Sequence, residues 1–512
     1  MRPLVSRAEA RAFDAAAIAG GVSGLVLMEN AARGATDVLA RRLPAALGRP
    51  LLVGGLGQNG GDAWALGRQL LTRGILPAAI VIGDAGSITG DARTNLDALR
   101  ALGVSIDVIA EGAPLRALDA ALDGATVVVD GIFGTGLCRA IEGVAAATIQ
   151  ALNGRGLPTL ALDLPSGVDA DTGAVLGVAA RATITATFGA HKRGLWQYPG
   201  RALAGDVVVC DIGVPPPPLG DVTLLEAADL ATLMPRRALD AHKGTAGHVL
   251  VLAGSPGKTG AALLVGLGAS RAGAGLVTLA ARGAARAALD AKVVELMTTE
   301  IPDALEAGAL AVARECEGKD ALVVGPGLGL DAAARALALR VAIESTLVTV
   351  LDADALTALA DGPAALRGAR GPRILTPHPG EAARLLGVST ADVQRDRHAA
   401  AARLAELPGS VVVLKGAGTI VAGAGGRAAV CSRGTPALGV GGTGDVLSGA
   451  IGALAAGGLP PFEAGAGGVL LHALAGERAA VADRGLLARE VADAMPAVFA
   501  RECAERGRGD RA

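Results

Sequence analysis

The chain has 512 residues, of which 51% are hydrophobic, with 47 basic and 49 acidic side chains. A net charge of −2 without any run of Lys or Arg argues against a nucleic-acid or acidic-membrane partner. The scattered cysteines contain no CxxC pair, and the opening segment MRPLVSRAEARAFD lacks the apolar core of a secretory signal, so we expect a reducing, cytoplasmic location.

Short apolar runs separated by helix-like segments recur along the first half of the chain. Such runs predict the strands of a parallel sheet covered by helices on both faces, because these strands are buried on both sides. The predicted strands lie at residues 51–54, 79–82, 126–129, 159–162, 184–188 and 207–210.

Polar residues gather where three of these predicted strands end. The segment GGLGQNGGDAWALGRQL starts at Gly54, and its apolar spacing predicts a helix that begins near Gly61. Asp130 and Asp163 each follow an apolar run, so both carboxylates are predicted at the carboxyl edge of the sheet, partly buried. A carboxylate in that position needs a cation, hydrogen bonds or a raised pKa.

These motifs, together with LMENAARG near the start, resemble the NAD(P)H-hydrate epimerase domain over residues 1–215. The resemblance implies a Rossmann-like three-layer α/β/α fold. It also implies a potassium ion bound by Asn59, Asp130 and Ser166, oxygen ligands that suit a hard cation. Asp163 would be the acid/base that lets a ring hydroxyl leave and return on the opposite face. The implied substrate contacts are Gln58, Asn59, Gly60, Gly61, Asp62, Gly134, Thr135, Gly136, Leu137, Cys138, Arg139, Ala140 and Asp163.

Simpler roles stay open for the two acids. Asp163 also fits a capped or salt-bridged residue at the sheet edge, and Asp130 fits a structural turn. The turn departs from the family pattern, with Gln58 in place of Asn and Ala63 in place of Gly. Ala63 tolerates a helical backbone but not a positive φ, so this departure concerns the geometry of the turn.

Four consecutive prolines at residues 215–218 end this pattern. Proline fits neither a helix interior nor a central strand, so we predict a domain boundary there. The same alternation then restarts, with predicted strands at residues 249–253, 276–280, 321–325, 349–352, 374–376 and 411–415. We therefore expect two α/β domains in tandem.

Five motifs in the second half are predicted at the carboxyl ends of strands, where open α/β sheets bind ligands. They are HKGTAGHVLVLAGSPGKTGAALL, GPGLG, TPHPGEAARLL, KGAGT and GGTGDVLSG. Apolar residues recur at helical spacing after Asp445 in the last motif, so its glycines open a helix whose N-terminus attracts negative charge. Asp445 is either a cap of that helix or a catalytic group.

In this order, the motifs resemble the ribokinase-like ADP/ATP-dependent NAD(P)H-hydrate dehydratase domain over residues 225–505. The resemblance implies that Asp445 takes the proton of a ring hydroxyl as it attacks a phosphoryl group, with Mg²⁺ as cofactor and ADP as co-substrate. The implied substrate contacts are Ala261, Gly327, His378 and Asp445. The implied nucleotide contacts are Lys415, Gly416, Ala417, Gly418, Thr419 and Gly444. His378 also fits a rigid structural turn, and Lys415 an ordinary charge at a strand end.

Together the resemblances imply a bifunctional enzyme that epimerises hydrated NADH and NADPH (NADHX and NADPHX) and dehydrates the S form at the expense of ADP. A homo-oligomer with small-molecule partners, and without nucleic acid or membrane, is expected. One alternative is a kinase of small alcohols fused to a non-catalytic nucleotide-binding module. The reaction product distinguishes them, since the kinase retains its phosphoester.

Overall fold

The structure, a computed structural model, describes residues 1–234, 236–407 and 410–503. The chain forms two compact units. The N-terminal unit is Pro3–Gly220, and the C-terminal unit begins at Asp221 and includes Met1–Arg2. The predicted pair of tandem α/β domains is confirmed.

Strands and helices alternate through most of the N-terminal unit. Its strands are β1 (Arg2–Val5), β2 (Pro50–Gly54), β3 (Ala78–Ile82), β4 (Ile106–Ile109), β5 (Val127–Gly131), β6 (Thr159–Leu162), β7 (Ile184–Phe188), β8 (His191–Lys192) and β9 (Asp206–Cys210). Its helices are α1 (Arg7–Ala19), α2 (Gly24–Arg42), α3 (Gln58–Leu71), α4 (Gly90–Ala101), α5 (Arg116–Gly124), α6 (Gly143–Arg155) and α7 (Gly200–Leu203).

The N-terminal unit is a three-layer α/β/α domain around a parallel sheet. The sheet has the strand order β4-β3-β2-β5-β6-β7-β9, and β1 pairs with β8 separately. Helices α2, α3 and α4 supply buried residues such as Leu39, Trp64 and Leu96 to the core on one face. Helices α5 and α6 supply Leu118 and Ile149 to the core on the other face. Burial on both faces explains why the strands read as continuous apolar runs.

The C-terminal unit repeats this alternation and is richer in helices. Its strands are β10 (Val222–Leu225), β11 (His248–Leu252), β12 (Leu276–Arg282), β13 (Met297–Ile301), β14 (Ala321–Val324), β15 (Val348–Leu351), β16 (Arg373–Leu375), β17 (Ser410–Leu414), β18 (Ile420–Ala422) and β19 (Ala428–Cys431). Its helices are α8 (Leu230–Leu233), α9 (Thr259–Ala272), α10 (Ala285–Asp290), α11 (Leu305–Glu315), α12 (Ala332–Glu344), α13 (Asp354–Leu359), α14 (Pro379–Leu386), α15 (Thr390–Arg395), α16 (Arg397–Ala405), α17 (Thr443–Ala456), α18 (Pro461–Ala479) and α19 (Ala488–Glu502).

The strands of the C-terminal unit follow the order β13-β12-β11-β14-β15-β16-β17-β18-β19-β10. They are parallel except that β18 runs antiparallel to both of its neighbours. Helices α9, α17, α18 and α19 share one large apolar core with the sheet. Glycine allows α9 and α17 to touch, because a Cβ added at Gly449 would lie 2.0 Å from the Val265 carbonyl oxygen.

The structure corrects several predictions about local elements. Helix α3 begins at Gln58 rather than near Gly61, so the QNGG residues form its first turn and Ala63 has the helical backbone that it tolerates. Strands β1, β4, β8, β10, β13, β18 and β19 were not predicted, since most are short or only partly buried. Within the described residues, no helix combines the length and apolar character that crossing a membrane requires.

Candidate active sites

The N-terminal unit holds a cavity of about 1250 Å³ beside the carboxyl ends of β2 and β5. The chain leaves these neighbouring strands toward opposite sides of the sheet, so their loops diverge and leave room for a ligand. The predicted substrate contacts that line the cavity are Gln58, Asn59, Asp62, Gly134, Thr135, Gly136, Leu137, Cys138, Arg139, Ala140 and Asp163.

Gly60 and Gly61, which were also predicted to contact substrate, pack against the protein. A Cβ added at Gly60 would lie 2.1 Å from the Gly55 carbonyl oxygen. A Cβ added at Gly61 would lie 2.6 Å from Met28 Cε, on the helix that carries the LMENAARG segment. These two glycines therefore let α3 approach its neighbours closely.

Asp163 follows β6 and has the left-handed φ of 63°. Its N–H donates to the Ala186 carbonyl at 2.8 Å, and the Thr135 N–H donates to its Oδ2 at 3.2 Å. Lys192 Nζ lies 2.6 Å from its Oδ1. Such a backbone conformation costs a non-glycine residue about 1–3 kcal/mol and is concentrated at functional sites. Asp163 is thus salt-bridged at the sheet edge and also faces the cavity.

Two more acids face this cavity. Burial, followed by the negative charges of Asp163 and Asp14, raises the pKa of Asp62 well above its usual value. Burial also raises the pKa of Asp14 on α1. A neutral carboxyl group donates a proton, whereas an ionised neighbour accepts one. Sequence analysis missed Asp14 and Lys192, because both lie far along the chain from the motifs that they join.

The residues predicted to bind potassium come from the ends of β5 and β6 and from the first turn of α3. Asp130 is fully buried and accepts the Ser166 N–H at 2.8 Å and the Ser166 hydroxyl at 2.6 Å. Burial raises the pKa of Asp130. A Cβ added at Gly131 would lie 2.8 Å from the Asn59 carbonyl oxygen, so Asn59 is adjacent. The buried Asn59 amide makes no side-chain hydrogen bond within the described residues.

In the C-terminal unit, Lys415 and Asp352 form a largely buried ion pair at the carboxyl ends of β17 and β15. Lys415 Nζ lies 2.7 Å from Asp352 Oδ1, and Asp352 Oδ2 accepts the Ser448 hydroxyl of α17 at 2.6 Å. A Cβ added at Gly444 would lie 3.4 Å from Lys415 Nζ, so the KGAGT and GGTGD motifs meet here. Sequence analysis missed Asp352, although an acid that follows an apolar strand was an available signal.

Asp445 occupies the third position of α17, and Gly442 is the N-cap. The alternative that Asp445 caps the helix is therefore wrong. Burial, followed by the negative charges of Asp352 and Asp354, raises the pKa of Asp445 to about 7, while Lys415 lowers it. A pKa near neutrality suits a group that takes a proton during the reaction.

His378 caps α14. Its Nδ1 accepts the Gly380 N–H at 3.0 Å, and the backbone N–H of His378 donates to Glu381 Oε2 at 2.8 Å. Burial, followed by the positive charge of Lys415, lowers the pKa of His378. Burial also raises the pKa of Glu381, another residue that sequence analysis missed. His378 thus caps α14 close to Lys415 and Asp352, and its side chain remains 53% exposed.

Ala261 lies in the first turn of α9, the helix that follows β11, and Gly327 lies in the loop that follows β14. A Cβ added at Gly327 would lie 3.1 Å from Ala261 Cβ, so the two residues are in contact. Strands β11 and β14 are neighbours from which the chain departs in opposite directions, as in the N-terminal unit. Lys258 Nζ beside this contact lies 3.7 Å from Asp354 Oδ2, whose charge also acts on Asp445.

The remaining residues of the KGAGT motif form the tight turn between β17 and β18. Gly416 and Gly418 have φ angles of 134° and 66°, a region that disfavours other residues. The Thr419 hydroxyl donates to the Gly416 carbonyl at 2.7 Å, and Ala417 lies between the two glycines. The turn therefore presents its backbone close to Lys415.

The HKG segment does not belong to this site. His242 precedes β11, so it lies at the amino end of that strand rather than at the predicted carboxyl end. There it lines a separate cavity of about 720 Å³. Only the later part of the same motif, from Gly254 to Thr259, follows the carboxyl end of β11.

Comparisons with known proteins match both units. Residues 249–497 match a family model described as NAD(P)H-hydrate dehydratase, and residues 24–194 match the YjeF-related protein N-terminus. A bifunctional NAD(P)H-hydrate repair enzyme of Moorella thermoacetica is 39% identical over 492 residues, which cover 93% of each chain. One from Coxiella burnetii is 37% identical over 497 residues, which cover 96% of this chain and 98% of that protein.

Among solved structures, an ADP/ATP-dependent NAD(P)H-hydrate dehydratase from Bacillus subtilis, co-crystallized with ATP/Mg²⁺, is 31% identical, with a TM-score of 0.47. The match covers 55% of this chain and 99% of that chain. The relatives from Moorella and Coxiella, by contrast, match across both units. The chain therefore belongs to the family of bifunctional NAD(P)H-hydrate repair enzymes.

Proposed function

We propose that the N-terminal unit interconverts the R and S forms of NADHX and NADPHX, and that the C-terminal unit dehydrates the S form with ADP, giving AMP and phosphate. The observation that carries this function is one acid-bearing site in each unit: Asp163 lines the cavity of the N-terminal unit, and Asp445 lies in the first turn of α17, close to Lys415 and Asp352. The alternative of a small-alcohol kinase is not favoured, since relatives that match nearly the whole chain are named for hydrate repair.

The dehydration must replace a poor leaving group, because water has a pKa of about 15.7. Asp445 takes the proton of the C6 hydroxyl while the hydroxyl oxygen attacks the terminal phosphorus of ADP. The bond from that phosphorus to AMP breaks, and AMP leaves with the electron pair. The lone pair of the ring nitrogen then expels phosphate from C6, and loss of a C5 proton restores the double bond. Lys415 and the amides of Gly442 to Gly444 stabilise charge on the migrating phosphoryl group.

The epimerisation needs a proton donor and a proton acceptor but no redox step. The C6–O bond breaks with its electron pair on oxygen, which takes a proton, while the nitrogen lone pair forms a C6=N1 double bond. Water returns to C6 from the opposite face, the electron pair returns to nitrogen, and a carboxylate takes the released proton. Asp163 is the proposed acid/base, and Asp62, whose pKa is raised by burial, is the proposed proton donor.

A potassium ion is proposed at Asn59, Asp130 and Ser166. The donor set consists of oxygen atoms, which fits a hard cation. The Asn59 amide oxygen has no partner within the described residues, and the buried Asp130 carboxylate accepts hydrogen bonds from the neutral Ser166. A bound cation would offset this buried negative charge and tie the ends of β5 and β6 to α3.

Mg²⁺ is proposed to bind together with the nucleotide, because such sites combine one or two carboxylates with phosphate oxygens. Glu381 is a buried carboxylate beside Lys415 and Asp352 and is the proposed protein ligand.

We also propose functional domain limits of 1–215 and 225–505, a homo-oligomer and a cytoplasmic location. The proposed location is supported by the free thiols of Cys138, Cys210, Cys316 and Cys431. The domain limits and the oligomer rest on the family resemblance.

A single assay tests the proposed function. Purified protein is given an equal mixture of (R)- and (S)-hydrate with ADP, Mg²⁺ and K⁺, and absorbance of the reduced nicotinamide is followed. Full recovery of absorbance with release of inorganic phosphate is expected. If absorbance recovers only to the level of the S fraction, the proposed epimerase activity is contradicted. A retained phosphoester would indicate a kinase.

A further inference from the structure

Lys192 is a buried cation in the wall of the epimerase cavity. Its side chain is 3% exposed, and Nζ lies 2.6 Å from Asp163 Oδ1, 2.6 Å from the Phe188 carbonyl oxygen and 3.1 Å from Thr187 Oγ1. Three acceptors therefore hold the ammonium group at one position. Removing a charged group from water is costly unless it is paired and hydrogen-bonded, and here both conditions are met.

The position of Asp163 is fixed equally firmly. Its backbone N–H is bonded to Ala186 at 2.8 Å, its φ is 63°, and its second carboxylate oxygen accepts the Thr135 N–H at 3.2 Å. Lys192 thus contacts one oxygen of the Asp163 carboxylate, and the N–H of Thr135, in the loop after β5, donates to the other. A strained backbone conformation and a buried ion pair at a cavity wall are both features that cluster at functional sites.

The titratable groups that face this pair come from three other elements. Asp14 lies on α1, Asp62 lies on α3, and Cys210 ends β9. Lys192 makes its ion pair with Asp163 rather than with Asp14 or Asp62. The geometry therefore directs this buried cation to one particular carboxylate among three.

We propose that Lys192 is a positioning residue of the epimerase, which holds the Asp163 carboxylate oriented toward the reacting carbon, so that it accepts the proton of the incoming water. The inference rests on the proposed epimerase activity and adds to it the group that sets the position and direction of its base. The dehydratase site of the C-terminal unit contains none of these residues.

The test uses the full-length protein with K192M, K192R and the neighbouring variant R193M as matched control. Arg193 pairs with Glu9 at 2.8 Å and belongs to the same segment, but it does not line the cavity. Epimerase kcat and KM are measured on the (R)-hydrate. Dehydration of the (S)-hydrate by the same preparations reports whether a loss is confined to the epimerase.

K192M should lower epimerase kcat by about 100-fold, because misplacing a catalytic group by about 1 Å has that effect. KM for the (R)-hydrate should change little, because Lys192 acts through Asp163 rather than by binding the substrate. K192R should regain about tenfold in kcat relative to K192M, because Arg keeps the charge but not the shape of the ammonium group. R193M should keep the wild-type kcat and KM.

A double variant keeps the inference testable if K192M destabilises the N-terminal unit. If Lys192 acts through Asp163, K192M should cost no further activity in a D163N background. An unchanged kcat in K192M, or losses in K192M and D163N that multiply, would overturn the inference. Wild-type protein without epimerase activity would instead contradict the proposed function.

Discussion

Lowering the pH from 8 to 6 should inactivate the dehydratase by protonating Asp445. Burial and the charge of Asp352 place the pKa of this carboxyl at about 7. The proton acceptor must be ionised, so with that pKa about nine-tenths of the free enzyme is competent at pH 8 and about one-tenth at pH 6. We therefore expect kcat/KM for the (S)-hydrate to fall about tenfold over this range.

The assay follows reduced nicotinamide absorbance in single-epimer reactions with saturating ADP and Mg²⁺. Asp445→Asn is the matched variant, because it preserves the shape of the side chain but cannot take a proton. It should lose about 10²–10⁴-fold in rate, and its residual activity should show no transition near pH 7. Epimerase activity of the same protein serves as control for folding.

Two results would refute this reasoning. A flat pH profile between 6 and 8 in the wild type would mean that Asp445 is not the titrating group. Normal turnover by Asp445→Asn would mean that another residue takes the hydroxyl proton. Asp352→Asn, which removes a negative charge beside Asp445, should move the transition to lower pH.

Three further outcomes follow from the contacts. Lys415→Met should reduce the free energy of unfolding by about 3–5 kcal/mol in urea titrations, because Asp352 is left as an unpaired buried charge. The double variant Lys415→Met with Asp352→Asn should recover part of that loss. Gly449→Ala should cost at least about 1–3 kcal/mol in the same titration, because its Cβ would lie 2.0 Å from the Val265 carbonyl oxygen. Asp130→Asn should raise the K⁺ concentration for half-maximal epimerase activity about 10–100-fold in a potassium titration, with dehydration unchanged.

Much of the candidate sites could be read from local sequence patterns. The acids at 130, 163 and 445 all follow glycines or apolar strands, and such positions at strand ends are marked by the residues immediately around them. The same patterns did not distinguish glycines that face a ligand from those that pack. Gly61 packs against Met28, which lies outside the local motif, and Gly60 packs against Gly55, which lies within it but approaches only in the folded turn.

By itself the sequence determined two α/β units built on parallel strands, and the loops that carry their chemistry. Buried strands, helices and glycine turns each have a local periodicity or composition that marks them. Only the tertiary structure decided which charges meet. Lys192 and Asp163, or Lys415 and Asp352, become partners because parallel strands bring their carboxyl ends and the following loops together. The pKa of about 7 at Asp445 likewise depends on burial and on charges from other strands, which act through space rather than along the chain.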